Sequence, residues 1–150
     1  MLRDRFMSDL KESMKAGDKP RLGTIRLMQA ALKDKDIEAR GAGKGPLSDD
    51  EILQLLQKMV KQRQESAKMY ADGGRPELAD QETAEIAVIT AYLPKQMDEA
   101  EAKAAIAAVI TETGAAGVKD MGKVMGELKA RYAGQMDFGK ASPLVKQLLG

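Results

Sequence analysis

Apolar residues recur along this chain at intervals of three and four, and nowhere do they alternate with polar ones over a strand's length, so the pattern predicts helices from end to end. Leu2, Phe6, Leu10 and Met14 stand four apart and predict a first helix over Leu2 to Ala16 with one core-facing stripe. Gly17-Asp18 should end that helix, with Asp18 capping the next and Pro20 in its first turn, where a missing N–H costs nothing. The second helix is expected to run to about Arg40 and to bury Leu22, Ile25, Met28, Leu32 and Ile37. A glycine-rich connection from Gly41 to Leu47 leads to Ser48 and Glu51, the spacing of a capping box. The third helix then points Ile52, Leu55, Leu56, Met59 and Val60 inward and Lys58, Lys61, Arg63 and Lys68 outward, and Gly73-Gly74 stops it. Pro76 opens a fourth, whose Leu78, Ile86, Ile89 and Tyr92 can pack on the others before Leu93-Pro94 breaks it.

Beyond Pro94 the pattern starts afresh. Asp98 and Glu101 repeat the capping-box spacing, and the alanine-rich Ala102 to Thr113 segment offers Ile106, Val109 and Ile110 to a core. After a turn at Gly114 to Gly117, Met121, Val124, Met125 and Leu128 fall at i, i+3, i+4 and i+7 of a helix from about Val118 to Tyr132. A last short helix carries Leu144, Val145, Leu148 and Leu149. The expected fold is therefore all-α and multihelical, with an N-terminal four-helix subdomain over residues 1–94 and a C-terminal three-helix subdomain over residues 95–150.

Composition removes most catalytic designs. The 150 residues include no His and no Cys, so the usual general base, the commonest zinc ligand and the thiolate nucleophile are absent. Ser8, Ser13, Ser48, Ser66 and Ser142 all lie among charged or helix-forming residues rather than in a glycine-flanked nucleophile elbow. Gly41, Gly43 and Gly45 surround Lys44, but Pro46 and Leu47 stand where a phosphate-binding loop needs Ser or Thr, so the segment reads as a linker. No catalytic residue, cofactor or metal site is expected. The apolar runs are too short to cross a bilayer, and Met1 to Phe6 lacks the charged-then-apolar order of a secretory signal, which leads to the expectation of a cytoplasmic protein without membrane contact. Ten methionines fall mostly on core stripes, Met14, Met28, Met59, Met121 and Met125 among them.

A net charge of +1 gives no global attraction for nucleic acid, so recognition must come from local segregation of charge. Lys19, Arg26, Lys33 and Arg40 recur every seven residues and make one stripe on the second helix, balanced by Asp34, Asp36 and Glu38 if it is an ordinary solvated face. From Val118 onward Lys119, Lys123, Lys129, Arg131, Lys140 and Lys146 outnumber Asp120, Glu127 and Asp137. These cations, with Arg26 and Lys33, are the candidate phosphate contacts. Gly122 and Gly126 each cost a helix about 1 kcal/mol relative to Ala, so something should approach their backbone closely. That could be another helix of the chain, or a sugar-phosphate backbone reached by Lys119 and Lys123. With two Phe, three Tyr and no Trp there is no stacking platform for single strands, and folded RNA is the better nucleic-acid target.

Several motifs point to a family. Leu10-Lys11-x-x-Met14-Lys15, Thr24-Ile25-Arg26-Leu27 with Ala30-Ala31-Leu32-Lys33, Lys61-Gln62-Arg63-x-Glu65-Ser66, Glu85-Ile86-x-Val88-Ile89 and Tyr92-Leu93-Pro94 occur in order. Asp120-Met121-Gly122-Lys123-Val124-Met125-Gly126-Glu127-Leu128-Lys129 follows, and then Gly134-Gln135-Met136-Asp137 and Leu144-Val145-Lys146-Gln147-Leu148-Leu149. Over nearly its whole length the chain resembles the free-standing members of the GatB/YqeY family, whose C-terminal part is similar to the tail of the B subunit of tRNA-dependent amidotransferases. The resemblance implies a small all-helical accessory module that binds tRNA through that tail. It equally allows a helical module that docks on an amidotransferase or synthetase subunit. It carries the label of a carbon-nitrogen ligase using glutamine as amide donor, yet the amidase and ATP-dependent sites that such chemistry needs have no counterpart among these residues.

Overall fold

Several helices begin or end at a residue suited to that position. In the computed structural model, which describes residues 1–150, the helices are α1 (Leu2–Ala16), α2 (Lys19–Gly41), α3 (Asp49–Asp72), α4 (Pro76–Thr90), α5 (Glu99–Thr113), α6 (Met121–Tyr132) and α7 (Phe138–Leu149), with a 3-10 turn at Val118–Asp120 and no strand. Asp18 caps α2 by accepting the Arg21 N–H at 3.3 Å. Ser48 with Glu51 and Asp98 with Glu101 close complete capping boxes at α3 and α5, satisfying N–H groups that have no helical partner. Gly17 and Gly114 end α1 and α5 at φ 67° and 68°, a left-handed conformation that a β-carbon would penalise. The chain divides into two compact units, Met1–Leu93 and Pro94–Gly150. No helix is long and apolar enough to cross a membrane.

The first unit is built on Leu2 and Phe6 of α1, Met28 and Leu32 of α2, Ile52, Leu56 and Met59 of α3, Ile89 of α4, and Tyr92 just beyond it. Phe6 is 1% exposed and meets the Tyr92 ring edge to face, centroids 5.0 Å apart. Two expected core residues are instead exposed, Met14 at 55% and Ile37 at 58%. At about 100° per residue a stripe of spacing four drifts by about 40° each step, so Met14 has turned roughly 120° from Leu2. Ser13, about 20° from Leu2, takes the buried position and is 0% exposed. Arg63 departs in the other direction. Expected outside, it lies half-buried with its Nε donating to Glu85 at 3.0 Å and a terminal nitrogen donating to the Met59 carbonyl at 3.3 Å, which ties α3 to α4.

Arg3 fastens α1 to α2 and to the connection that precedes α3. Its two terminal nitrogens donate to the two Asp36 oxygens at 2.7 and 2.8 Å, and one of them also donates to the Leu47 carbonyl at 3.0 Å. The Leu47 N–H in turn donates to Asp36 at 3.0 Å. The guanidinium and this N–H hold the Asp36 carboxyl down at about 2. A carboxyl depressed in the folded state contributes stability that is present above the ordinary carboxylate range and lost as pH falls toward 2. Because Arg3 is more than a third exposed, solvent screening reduces the contribution to on the order of 1 kcal/mol. Asp36→Asn is therefore expected to destabilise the protein by that amount at pH 7 and to match the parent near pH 2, as read from urea unfolding at the two pH values. A gap that persists at low pH contradicts this.

The second unit packs Ala105, Ile106 and Val109 of α5 against Val124 and Leu128 of α6 and Ala141 and Val145 of α7, with Met136 beneath the α6–α7 turn. In the last turn of α7, Leu149 packs against this core, whereas Leu148 beside it is 47% exposed. The chain leading into α5 is held by the α6–α7 connection, since the Met97 N–H donates to the Gln135 carbonyl at 2.9 Å and the Gln96 amide donates to the Gly134 carbonyl.

Candidate nucleic-acid interface

Helix α6 turns its apolar face inward through Val124 and Leu128, assisted by half-buried Met121 and Met125. That phase leaves Gly122, Lys123, Gly126, Lys129 and Ala130 exposed. A β-carbon added at Gly122 or at Gly126 would meet no atom within 4 Å. No other helix of the second unit packs on this flat face, as one of the two expected explanations required. Two glycines that weaken the helix stand on open surface, with Lys129 three residues beyond Gly126 and seven beyond Gly122, on the same side.

The C-terminal cations divide by what they touch. Lys119, in the 3-10 turn, and Lys129 are exposed and in no ion pair. Lys123 donates to the Thr113 carbonyl at 3.1 Å and so serves the C-terminal end of α5. Arg131 bridges Glu127 at 2.9 Å and Glu112 of α5, and these two carboxylates raise its pKa further. Lys140 begins α7 and Lys146 lies in its last turn, six residues on and so about 120° around the helix. The Asp120 carboxylate accepts the Ala116 N–H at 2.9 Å, a bond that lowers its pKa, with Lys119 and Lys123 adding to the effect. Lys119, Gly122, Gly126 and Lys129 remain as a site whose groups are uncommitted.

On α2, Arg26 and Lys33 are exposed and unpaired, as is Lys19. Of the three acids expected to balance that stripe, Asp36 is engaged by Arg3 and Glu38 by Lys35 at 3.1 Å, which leaves Asp34, exposed and in no ion pair. Arg40 contributes to the depressed Asp36 carboxyl at longer range.

One feature of the second unit left no trace in the helix pattern. A cavity of about 430 Å³ opens where the N-termini of α5 and α7 converge, lined in part by Gln96, Asp98, Glu99, Gln135, Asp137 and Lys140. Two helix N-termini would ordinarily attract an anion. Here Asp98 accepts the Glu101 N–H and Asp137 the Gly139 N–H, so a carboxylate already stands at each of the two N-termini and opposes a phosphate.

The family model described as Yqey-like protein matches residues 3–149. Among curated proteins, the chain is similar to the "Altered inheritance of mitochondria protein 41, mitochondrial" of Lachancea thermotolerans, 33% identical over 69% of this chain and 55% of that one. The protein of the same name from Pyrenophora tritici-repentis is 29% identical over 97% of this chain and 80% of its own. That of Eremothecium gossypii is 35% identical over 57% and 45% respectively. The chain thus spans about half the length of the first and third of these relatives. Their names place them in mitochondria, which overturns the expectation of a cytoplasmic protein. That expectation rested on the lack of a secretory-type segment, a feature that does not distinguish the cytoplasm from other non-secretory compartments. With a match that begins at residue 3 and ends one residue short of the C-terminus, the chain belongs to the Yqey-like protein family.

Proposed function

We propose that this protein is a non-catalytic accessory module that binds folded RNA of the tRNA class through backbone and shape, with α6 as the contact surface. The observation that carries this reading is the bare face of α6. Gly122 and Gly126 weaken the helix, no atom stands within 4 Å of where their β-carbons would be, and unpaired Lys119 and Lys129 stand three residues before the first and three after the second. A sugar-phosphate backbone satisfies all three conditions, since it approaches closely where side chains are missing and neutralises adjacent cations. The scarcity of aromatic residues favours recognition of a folded RNA over stacking on single strands.

Binding of the purified chain to bulk folded tRNA at several salt concentrations tests this, with unstructured RNA and duplex DNA as competitors. The expected result is tRNA-selective binding that weakens steeply with salt. Lys119→Glu with Lys129→Glu should weaken it at least tenfold and flatten the salt dependence by about one logarithmic unit per lysine. Absence of binding near physiological salt, or affinity indifferent to both reversals, would sink the reading.

A further inference from the structure

Helices α1 and α2 pack as an antiparallel pair, because Arg3 meets Asp36 at one end while Arg21 approaches Asp9 at 3.7 Å and Glu12 at 3.8 Å at the other. At about 100° per residue, Met7, Leu10 and Met14 fall within about 60° of one another on α1. Arg3 shares that sector and reaches across to α2, so the sector runs along the seam between the two helices. On α2, Leu22, Arg26, Gln29 and Lys33 occupy a matching sector beside Asp36. Burial follows this geometry. Leu10, Leu22 and Gln29 are half-buried in the seam, while Met7 is 50% and Met14 55% exposed above it. Arg26 and Lys33 on one side and Lys11 on the other are exposed and in no ion pair. Of the nearby carboxylates, Asp36 is held by Arg3 and Asp9 and Glu12 by Arg21, while Asp34 lies about 100° around α2 from Lys33.

We propose that this seam is the docking groove for an acidic amphipathic helix of a partner protein, whose apolar residues cover Met7, Leu10 and Met14 and whose carboxylates meet Lys11, Arg26 and Lys33. The furrow between two antiparallel helices accepts a third helix, and the two-turn spacing of Met7 and Met14 matches anchors at i and i+7 of such a ligand. Methionine side chains adapt to the shape of what they receive. Folded RNA could neutralise the cations but presents no apolar surface to the methionines. A second copy in a two-fold dimer would set the same cations against each other, since such an interface is self-complementary. This groove lies on the first unit and is independent of the RNA surface on α6.

The test uses the full chain and a fluorescent synthetic helix of about five turns, with leucines at i, i+4 and i+7 and glutamates on both flanks. Its scrambled version, bulk tRNA and phosphatidylglycerol-containing vesicles serve as the other arms. Salt-sensitive binding of the helix but not of the scrambled peptide is expected. Met7→Gln with Met14→Gln should weaken it about tenfold without changing the melting temperature, as should Arg26→Glu with Lys33→Glu. Lys119→Glu with Lys129→Glu should leave it unchanged. The proposal fails if the scrambled peptide binds equally, if the methionine pair is indifferent, if tRNA displaces the helix, or if the vesicles bind through Met7 and Met14 while the helix does not.

Discussion

Replacing Gly122 and Gly126 together with alanine is expected to stabilise the second unit and, in the same protein, to weaken its binding to tRNA. Both glycines lie in helical backbone, with no positive φ and no atom within 4 Å of where a β-carbon would stand. The interior position, Gly126, should gain about 1 kcal/mol and Gly122, in the first turn, somewhat less. For a unit of this size each kcal/mol corresponds to about 4–8 °C in melting temperature. The opposite signs of the two effects make the test sharp. Were the flat face filled by another helix of the chain, the methyl groups would collide with it and stability would fall. Were it an ordinary solvated surface, stability would rise and affinity would not change. A rise in melting temperature with a several-fold loss of tRNA affinity belongs to a surface kept bare for a ligand. Thermal unfolding by circular dichroism and a binding titration on the same preparation separate the three cases.

Phe6→Ala should be the most damaging single substitution in the first unit. The ring is 1% exposed and lies against Leu2, Met28, Leu32 and their neighbours in one core cluster, and it meets Tyr92 edge to face. Removing it leaves a cavity and unsupported aromatic packing, at a cost of about 3–5 kcal/mol. Tyr92 reports the local damage. Its hydroxyl donates to Asp9, the Arg5 guanidinium stands 4.8 Å from its ring centre, and its pKa is pushed up to about 12, by burial first and then by Asp9. Loss of Phe6 should bring that titration back toward 10 while the urea midpoint falls. Met14→Ala, on the same helix, is the control. The spacing-four stripe ranks it with Phe6, whereas its 55% exposure predicts a change within about 0.5 kcal/mol. Equal losses for the two substitutions would place Met14 in the core and contradict the packing described above.

Helix identity and helix ends were legible because they are local. Asp18, Ser48 with Glu51, and Asp98 with Glu101 act on backbone groups at most three residues away, so the letters suffice to read them. The family was legible for a related reason, since its motifs are ordered strings of letters. Burial at the edges of each stripe was not. Met14, Ile37 and Leu148 lie where helical drift or the end of a helix carries an apolar residue away from its neighbours, and that depends on where the other helices are.

Charge behaved in the same way. Counting placed Lys123 and Arg131 with Lys119 and Lys129, but Lys123 is spent on the Thr113 carbonyl of α5 and Arg131 on Glu112 of the same helix. Counting likewise set Asp34, Asp36 and Glu38 against the α2 stripe, while Arg3, more than thirty positions away, removes Asp36 from that balance. Periodicity and caps by themselves determined that the chain is helical, where its helices start and stop, and which family it resembles, because hydrogen bonding within a helix and side-chain phase extend over only a few residues. Tertiary structure decided which cations and which glycines remain available to a ligand, because a side chain is free only when no distant segment has already claimed it.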